Sequence, residues 1–198
     1  MKERPILFTG EMVRAILDGR KTQTRRVIKQ QPEKVEKCFG NLRNIPFEKT
    51  SIDEYTNIKC PYGNPGDRLW VRETWQTSTK GWIYKADHPE LKPLAKWKSP
   101  RFMPRRASRI NLEITNIRVE RVQDINIYDI EKEGINIINK LPHPLALSGT
   151  NPEKVKKFMN AIAQMEFKKL WDSINLKREF GWDSNPWIWV IEFKRLSS

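Results

Sequence analysis

Apolar positions along this chain fall into helical, alternating and continuous rhythms, and each rhythm predicts a different element. Between residues 11 and 18, Met12, Val13, Ile16 and Leu17 share one helical face. Thr9 can cap that helix, Glu11 suits its positive end and Gly19 can stop it. From Lys21 to Ile28, Thr, Gln and Val with alternating charge read as extended chain. The polar stretch that follows, through Tyr62, reads as a long insertion or a loosely paired hairpin. Pro65, Gly66 and Asp67 form a turn signal directly before Leu69, Trp70 and Val71, so a strand is expected there to about Thr74, with Trp82, Ile83 and Tyr84 as its partner.

Further on, Ile110, Leu112 and Ile114 alternate with Asn111, Glu113 and Thr115, and Ile117 and Val119 continue the pattern of a half-buried strand. A short helix is predicted from Ile127 to Glu133, closed by Gly134, and a longer one opens at Asn151 and Pro152. Val155, Phe158, Met159 and Ile162 carry its helical spacing, less regularly through Leu170, Trp171 and Ile174. The run from Trp187 to Ile191 is apolar on both faces, as a central strand is, and Phe193 extends one face. This order fits an α+β class, a mostly antiparallel barrel-like sheet with flanking helices, better than alternating βαβ units. With 198 residues, one domain over 1–198 is expected, with insertions near 30–63 and 88–108.

Charge narrows the class of partner. Lys and Arg number 37 against 24 Asp and Glu, a formal net charge of +13, which draws polyanions and makes nucleic acid the leading partner class. A membrane surface is the competing explanation. No apolar run approaches the roughly 18 residues of a spanning helix and no signal-peptide core opens the chain, so a cytoplasmic protein without membrane contact is expected. Cys38 and Cys60 form no Cys-x-x-Cys pair, and His88 and His143 each precede a proline, so neither metal nor other cofactor is expected.

Residues 92–109 hold seven basic side chains, no acidic one, and two aromatics. Basic groups can follow phosphates while aromatic rings stack on unpaired bases, which makes Lys96, Trp97, Lys98, Arg101, Phe102, Arg105 and Arg106 candidates for nucleic-acid contact. The plainer alternative is a solubilising loop whose aromatics fold back. Trp70, Trp187 and Trp189 sit inside apolar strand runs and read as core.

The segment from Gly19 to Arg26 resembles the ASCH signature Gly-x-Lys-x-x-Glu-x-Arg, which also follows a short helix. Gly19, Lys21 and Arg26 match, and Thr24 stands at the usual Glu position. A Gly-Arg-Lys-Thr-x-Thr-x-Arg pattern of this kind is similar to the N4-acetylcytidine amidohydrolase branch of the same PUA-like superfamily. Gly66 and Asp67 resemble the family's turn before a barrel strand, and Glu131 or Glu133 its helical Glu, with Glu133 the better fit by pattern. Nearly the whole chain also looks like phage and prophage ASCH-type proteins, through residues 66–73, 171–175 and 185–189. The resemblance implies a PUA-like barrel.

It implies as well a pocket for RNA or for a nucleoside or nucleotide ligand, in which Lys21, Thr24 and Glu133 are catalytic and Arg20, Arg25 and Arg26 hold substrate. Amide hydrolysis needs a nucleophile, a base and an acid, and Thr24, Lys21 and Glu133 are of the right types. In a regular strand Lys21 and Thr24 would face opposite sides, so Lys21 must lie in the bend leaving the helix, whereas Arg26 would share the Thr24 face. Outside that resemblance, Lys21, Arg25 and Arg26 read simply as a solvated basic strand, and Thr22 and Thr24 as ordinary strand formers. Three functions stay open on sequence: hydrolysis of an acylated nucleobase such as N4-acetylcytidine, non-catalytic RNA or modified-base binding, and ribonuclease action.

Overall fold

A computed structural model of the chain describes residues 1–38, 43–51, 54–79, 81–92, 96–137 and 151–196. The protein is mixed α+β, with mostly antiparallel strands and a few helices. In chain order the elements are β1 (Glu3–Leu7), α1 (Gly10–Leu17), β2 (Gln23–Val27), β3 (Lys34–Cys38), β4 (Arg43–Ser51), β5 (Glu54–Asn57) and β6 (Arg68–Arg72). They continue with β7 (Trp75–Ser78), β8 (Gly81–Tyr84), β9 (Asn111–Arg121), α2 (Ile127–Lys132), α3 (Pro152–Asn175) and β10 (Trp187–Arg195). One five-stranded sheet has the order β1-β6-β9-β10-β2, beside a three-stranded sheet β3-β4-β5 and the pair β7-β8. The chain divides into two compact units, Met1–Thr22 with Lys59–Ile117 and Ile191–Ser198, and Gln23–Ile58 with Arg118–Val190.

In the first unit, Thr9 caps α1 by accepting from the Met12 N–H at 3.4 Å. Gly19 leaves the helix at φ +75°, a left-handed conformation that glycine adopts without a Cβ penalty, and the Lys21 N–H then returns to the Ala15 carbonyl at 2.9 Å. The buried face is Val13, Ala15 and Ile16, while Met12 and Leu17 are half-buried. Gly66, at φ +88°, makes the turn into β6. Asp67 locks that turn, accepting from the Lys2 N–H at 2.7 Å and the Asn64 N–H at 3.2 Å and pairing with Arg4. β6 then lies parallel to β1, Val71 opposite Ile6, and antiparallel to β9, Leu69 opposite Leu112.

The expected pairing of residues 69–74 with Trp82, Ile83 and Tyr84 is replaced. β6 ends at Arg72, Glu73 turns its carboxylate to Arg109, and a fresh strand, β7, pairs with β8 so that Trp75 faces Tyr84. Trp70 is half-buried rather than core, because the guanidinium groups of Arg72 and Arg105 lie over its ring at 5.0 and 5.8 Å.

In the second unit, the stretch expected to be a loose hairpin forms antiparallel pairs β3-β4 and β4-β5, Glu36 opposite Ile45 and Phe47 opposite Asn57. α2 is capped by Asn126, whose Oδ1 accepts from the Asp129 N–H at 3.0 Å, and α3 by Asn151, which accepts from the Glu153 N–H at 2.8 Å. Val122, Ile125, Ile130, Ile137, Ala163, Phe167, Trp171, Ile188 and Val190 form its core. Burial of a ring such as Phe167 contributes about 2 to 3 kcal/mol. The core-facing stripe of α3 is thus Ala163, Phe167 and Trp171, and Phe158, which the spacing placed on the apolar face, is 51% exposed. Trp189 is buried as expected, whereas Trp187 is half-buried with Arg121 over its ring at 4.2 Å. Among the described residues no helix is long and apolar enough to cross a membrane. His143, the Cys38 side chain and parts of both expected insertions lie outside the described residues.

Candidate functional site

Among the described residues, each unit holds a gathering of charged side chains with buried members. In the second unit, Asp129 and Glu133 stand four residues apart at α2, a spacing that puts both on one helical face. Arg25 of β2 meets them, its Nη2 3.1 Å from Asp129 Oδ2 and its Nη1 3.1 Å from Glu133 Oε1. Glu120 of β9 adds a third carboxylate at 3.5 Å, and Arg118, which shares its strand face, donates to Asp129 at 3.3 Å and to Glu120. The Asn126 amide also donates to Asp129, and Gln23, with its amide oriented to satisfy its neighbours, accepts from Arg25 and donates to Asp129. The Arg25 side chain is 1% exposed and lies 5.9 Å from the centre of the Phe167 ring. A charge this deep needs such partners, because leaving it unpaired costs several kcal/mol.

The sequence-predicted pocket residues take up different positions. Arg25 and Glu133 come together as the ion pair just described, with the Glu133 carboxylate accepting from the guanidinium. Thr24, on β2, and Lys21, in the bend after α1, are each 2% exposed. In the first unit the Lys21 ammonium lies 5.7 Å from the centre of the Phe8 ring. Arg20 is exposed and donates to Asp18 at 2.8 Å, and Arg26 is half-buried.

The second gathering, in the first unit, anchors the basic segment 96–109. Arg109 holds Glu73 through Nε and Nη2 at 2.8 and 3.1 Å, and Asp87 through Nη1 and Nη2 at 2.6 and 2.8 Å, while its guanidinium stacks 4.0 Å from the Tyr84 ring centre. Burial pushes the Glu73 carboxyl above the usual glutamate value, and Arg109 offsets only part of that shift. Burial also acts against the Arg109 charge, but its bonds to Glu73 and Asp87 outweigh it and hold the guanidinium protonated.

Further anchors precede it. Met103 is fully buried against Trp75 and Ala107, its carbonyl accepting from Arg72 Nε at 3.0 Å. The Ala107 carbonyl accepts from the Tyr84 hydroxyl at 2.9 Å, and the Ser108 hydroxyl donates to the Val71 carbonyl at 2.8 Å. Lys98 bridges to the Trp75 backbone and places its ammonium 4.8 Å from the Trp75 ring centre. Trp97 is half-buried, its Nε1 donating to the Leu91 carbonyl at 3.3 Å. Phe102, by contrast, is 74% exposed, with Lys96, Arg101, Arg105 and Arg106 also exposed.

Comparison with family models, characterised proteins and solved structures gave no match. Sequence reasoning missed Asp129, Glu73 and Asp87. Asp129 had a signal, its four-residue spacing from Glu133, but Glu73 and Asp87 are joined only by the fold.

Proposed function

We propose that this chain binds nucleic acid through the basic, aromatic segment 96–109, as an ASCH-type protein of the PUA-like group whose sheet closes as a barrel. The observation that carries this reading is the anchoring of that segment. A merely solubilising loop has no need of a buried methionine, a bidentate arginine clamp and two backbone-directed hydroxyls beneath it. Those anchors hold Lys96, Arg101, Arg105 and Arg106 at the surface of a protein of net charge +13, and fixed cations facing solvent attract phosphates over several ångströms. Affinity for a labelled RNA oligonucleotide, followed by anisotropy, should fall steeply as salt rises. An affinity independent of salt would sink the reading.

Hydrolysis of an acylated nucleobase is the second reading, favoured by the burial of Thr24 and Glu133 in the second unit, at 2% and 5% exposure. Polar side chains are costly to bury, and reactive groups are among the reasons for doing so. Thr24→Val should abolish release of acetate from N4-acetylcytidine while leaving nucleoside affinity within about tenfold, which is about 1.4 kcal/mol. A wild-type protein that releases no acetate excludes this reading and leaves the first intact.

A further inference from the structure

Resting on the nucleic-acid reading above, we infer that the segment 96–109 takes single strands, with Phe102 as the stacking platform for an unpaired base, Arg101 and Arg106 as phosphate contacts, and Arg105 as a positioning residue. Phe102 ends a short 3-10 turn, Pro100–Phe102, capped by Ser99, whose Oγ accepts from the Arg101 N–H at 3.3 Å. The Phe102 N–H donates to the Ser99 carbonyl at 3.1 Å and the next residue, Met103, is fully buried. The backbone that carries this ring is therefore pinned on both sides while the ring stands 74% in solvent. An aromatic face presented on a fixed backbone loses little conformational entropy when a base stacks on it. Paired bases keep their faces inside the duplex, so only an unpaired one can use it.

The four arginines of the segment separate by what they already hold. Arg109 is fully engaged by Glu73 and Asp87. Arg105 donates to Glu3 at 3.1 Å and to Asn111 at 2.8 Å, and lies over the Trp70 ring. Arg101 and Arg106 are exposed and, among the described residues, have no carboxylate partner; Arg106 rests 6.0 Å from the centre of the Trp82 ring. No acidic residue lies between positions 92 and 109, so nothing local in sequence repels a phosphate run. The other aromatics are committed elsewhere: Trp97 donates to Leu91, and Trp75 is buried beneath Lys98.

The test compares a labelled RNA of about 12 nucleotides, within the span of known single-strand sites, with the same sequence as a duplex. The wild type should prefer the single strand by about tenfold or more. Phe102→Ala should lose about tenfold on the single strand and almost nothing on the duplex, and Phe102→Trp should restore it. Arg101→Ala and Arg106→Ala should each reduce the log-log salt slope by about 0.7, and Arg105→Ala by clearly less. If Phe102→Ala matches the wild type on both probes, or the duplex binds as tightly as the single strand, the inference falls while nucleic-acid binding stands. If neither probe binds the wild type, both fall together.

Discussion

Arg25 and Glu133, 108 positions apart in the chain, meet as a buried ion pair at 3.1 Å, with side chains 1% and 4% exposed. Because the guanidinium is desolvated, removing a partner leaves charge uncompensated, which costs more than the pair itself contributes. Glu133→Ala should lower stability by about 3 kcal/mol, read as a shift of the urea midpoint. Glu133→Gln keeps an acceptor oxygen and should cost less. A Glu133→Ala protein as stable as the wild type would show that Asp129 and Glu120 alone suffice for Arg25.

Asp67 ties the turn at Gly66 to the N-terminal strand. Its carboxyl is held below the ordinary aspartate value, first by the Lys2 and Asn64 N–H groups and then by Arg4. A depressed carboxylate stabilises the fold above the unfolded pKa, and that contribution is lost as pH falls through the folded one. Wild-type stability should therefore drop in acid below the ordinary aspartate range, and Asp67→Asn should flatten that part of the profile. Equal slopes in the two proteins would remove Asp67 as a cause.

Arg109 clamps the end of the basic segment to Glu73 and Asp87. Arg109→Leu should speed proteolytic nicking within residues 96–109 by about tenfold, since the local opening free energy falls with each lost anchor. Glu73 gives the opposite pH sign to Asp67. Its raised folded value means the native state holds a proton that the unfolded chain has released, so its contribution is full below the ordinary 4.5 and lost as pH rises through the folded value. Removing Arg109 should carry that loss to higher pH, visible as a steeper decline in stability from mildly acidic to neutral pH. An unchanged profile would contradict the clamp.

Local signals carried the elements they could reach. The cap at Thr9, the stop at Gly19, the Gly66-Asp67 turn, the Gly134 stop and the Asn151-Pro152 start each lie within one helical turn or hairpin of what they control, and the structure has an element boundary at each. What the sequence did not disclose depends on distant partners. Trp70 sits in an apolar run and yet is half-buried, because Arg105 arrives over its ring from 35 positions away. The strand expected to run to Thr74 ends at Arg72, and the Glu73 carboxylate beyond it is held by Arg109 from 36 positions away. At the candidate site, Arg25 and Glu133 were both legible as polar residues of interest, but their pairing was not, since one comes from a strand and the other from a helix end.

On the function proposed above, nucleic acid lies along residues 96–109. The most direct measurement is photocross-linking of a single-stranded RNA carrying 4-thiouridine at low salt, followed by mapping of the modified peptides. This placement predicts adducts concentrated within residues 96–109, at Phe102 above all, and lost when excess unlabelled single strand competes. Specific adducts confined to α3 or to β3, β4 and β5, with none in 96–109, would contradict it.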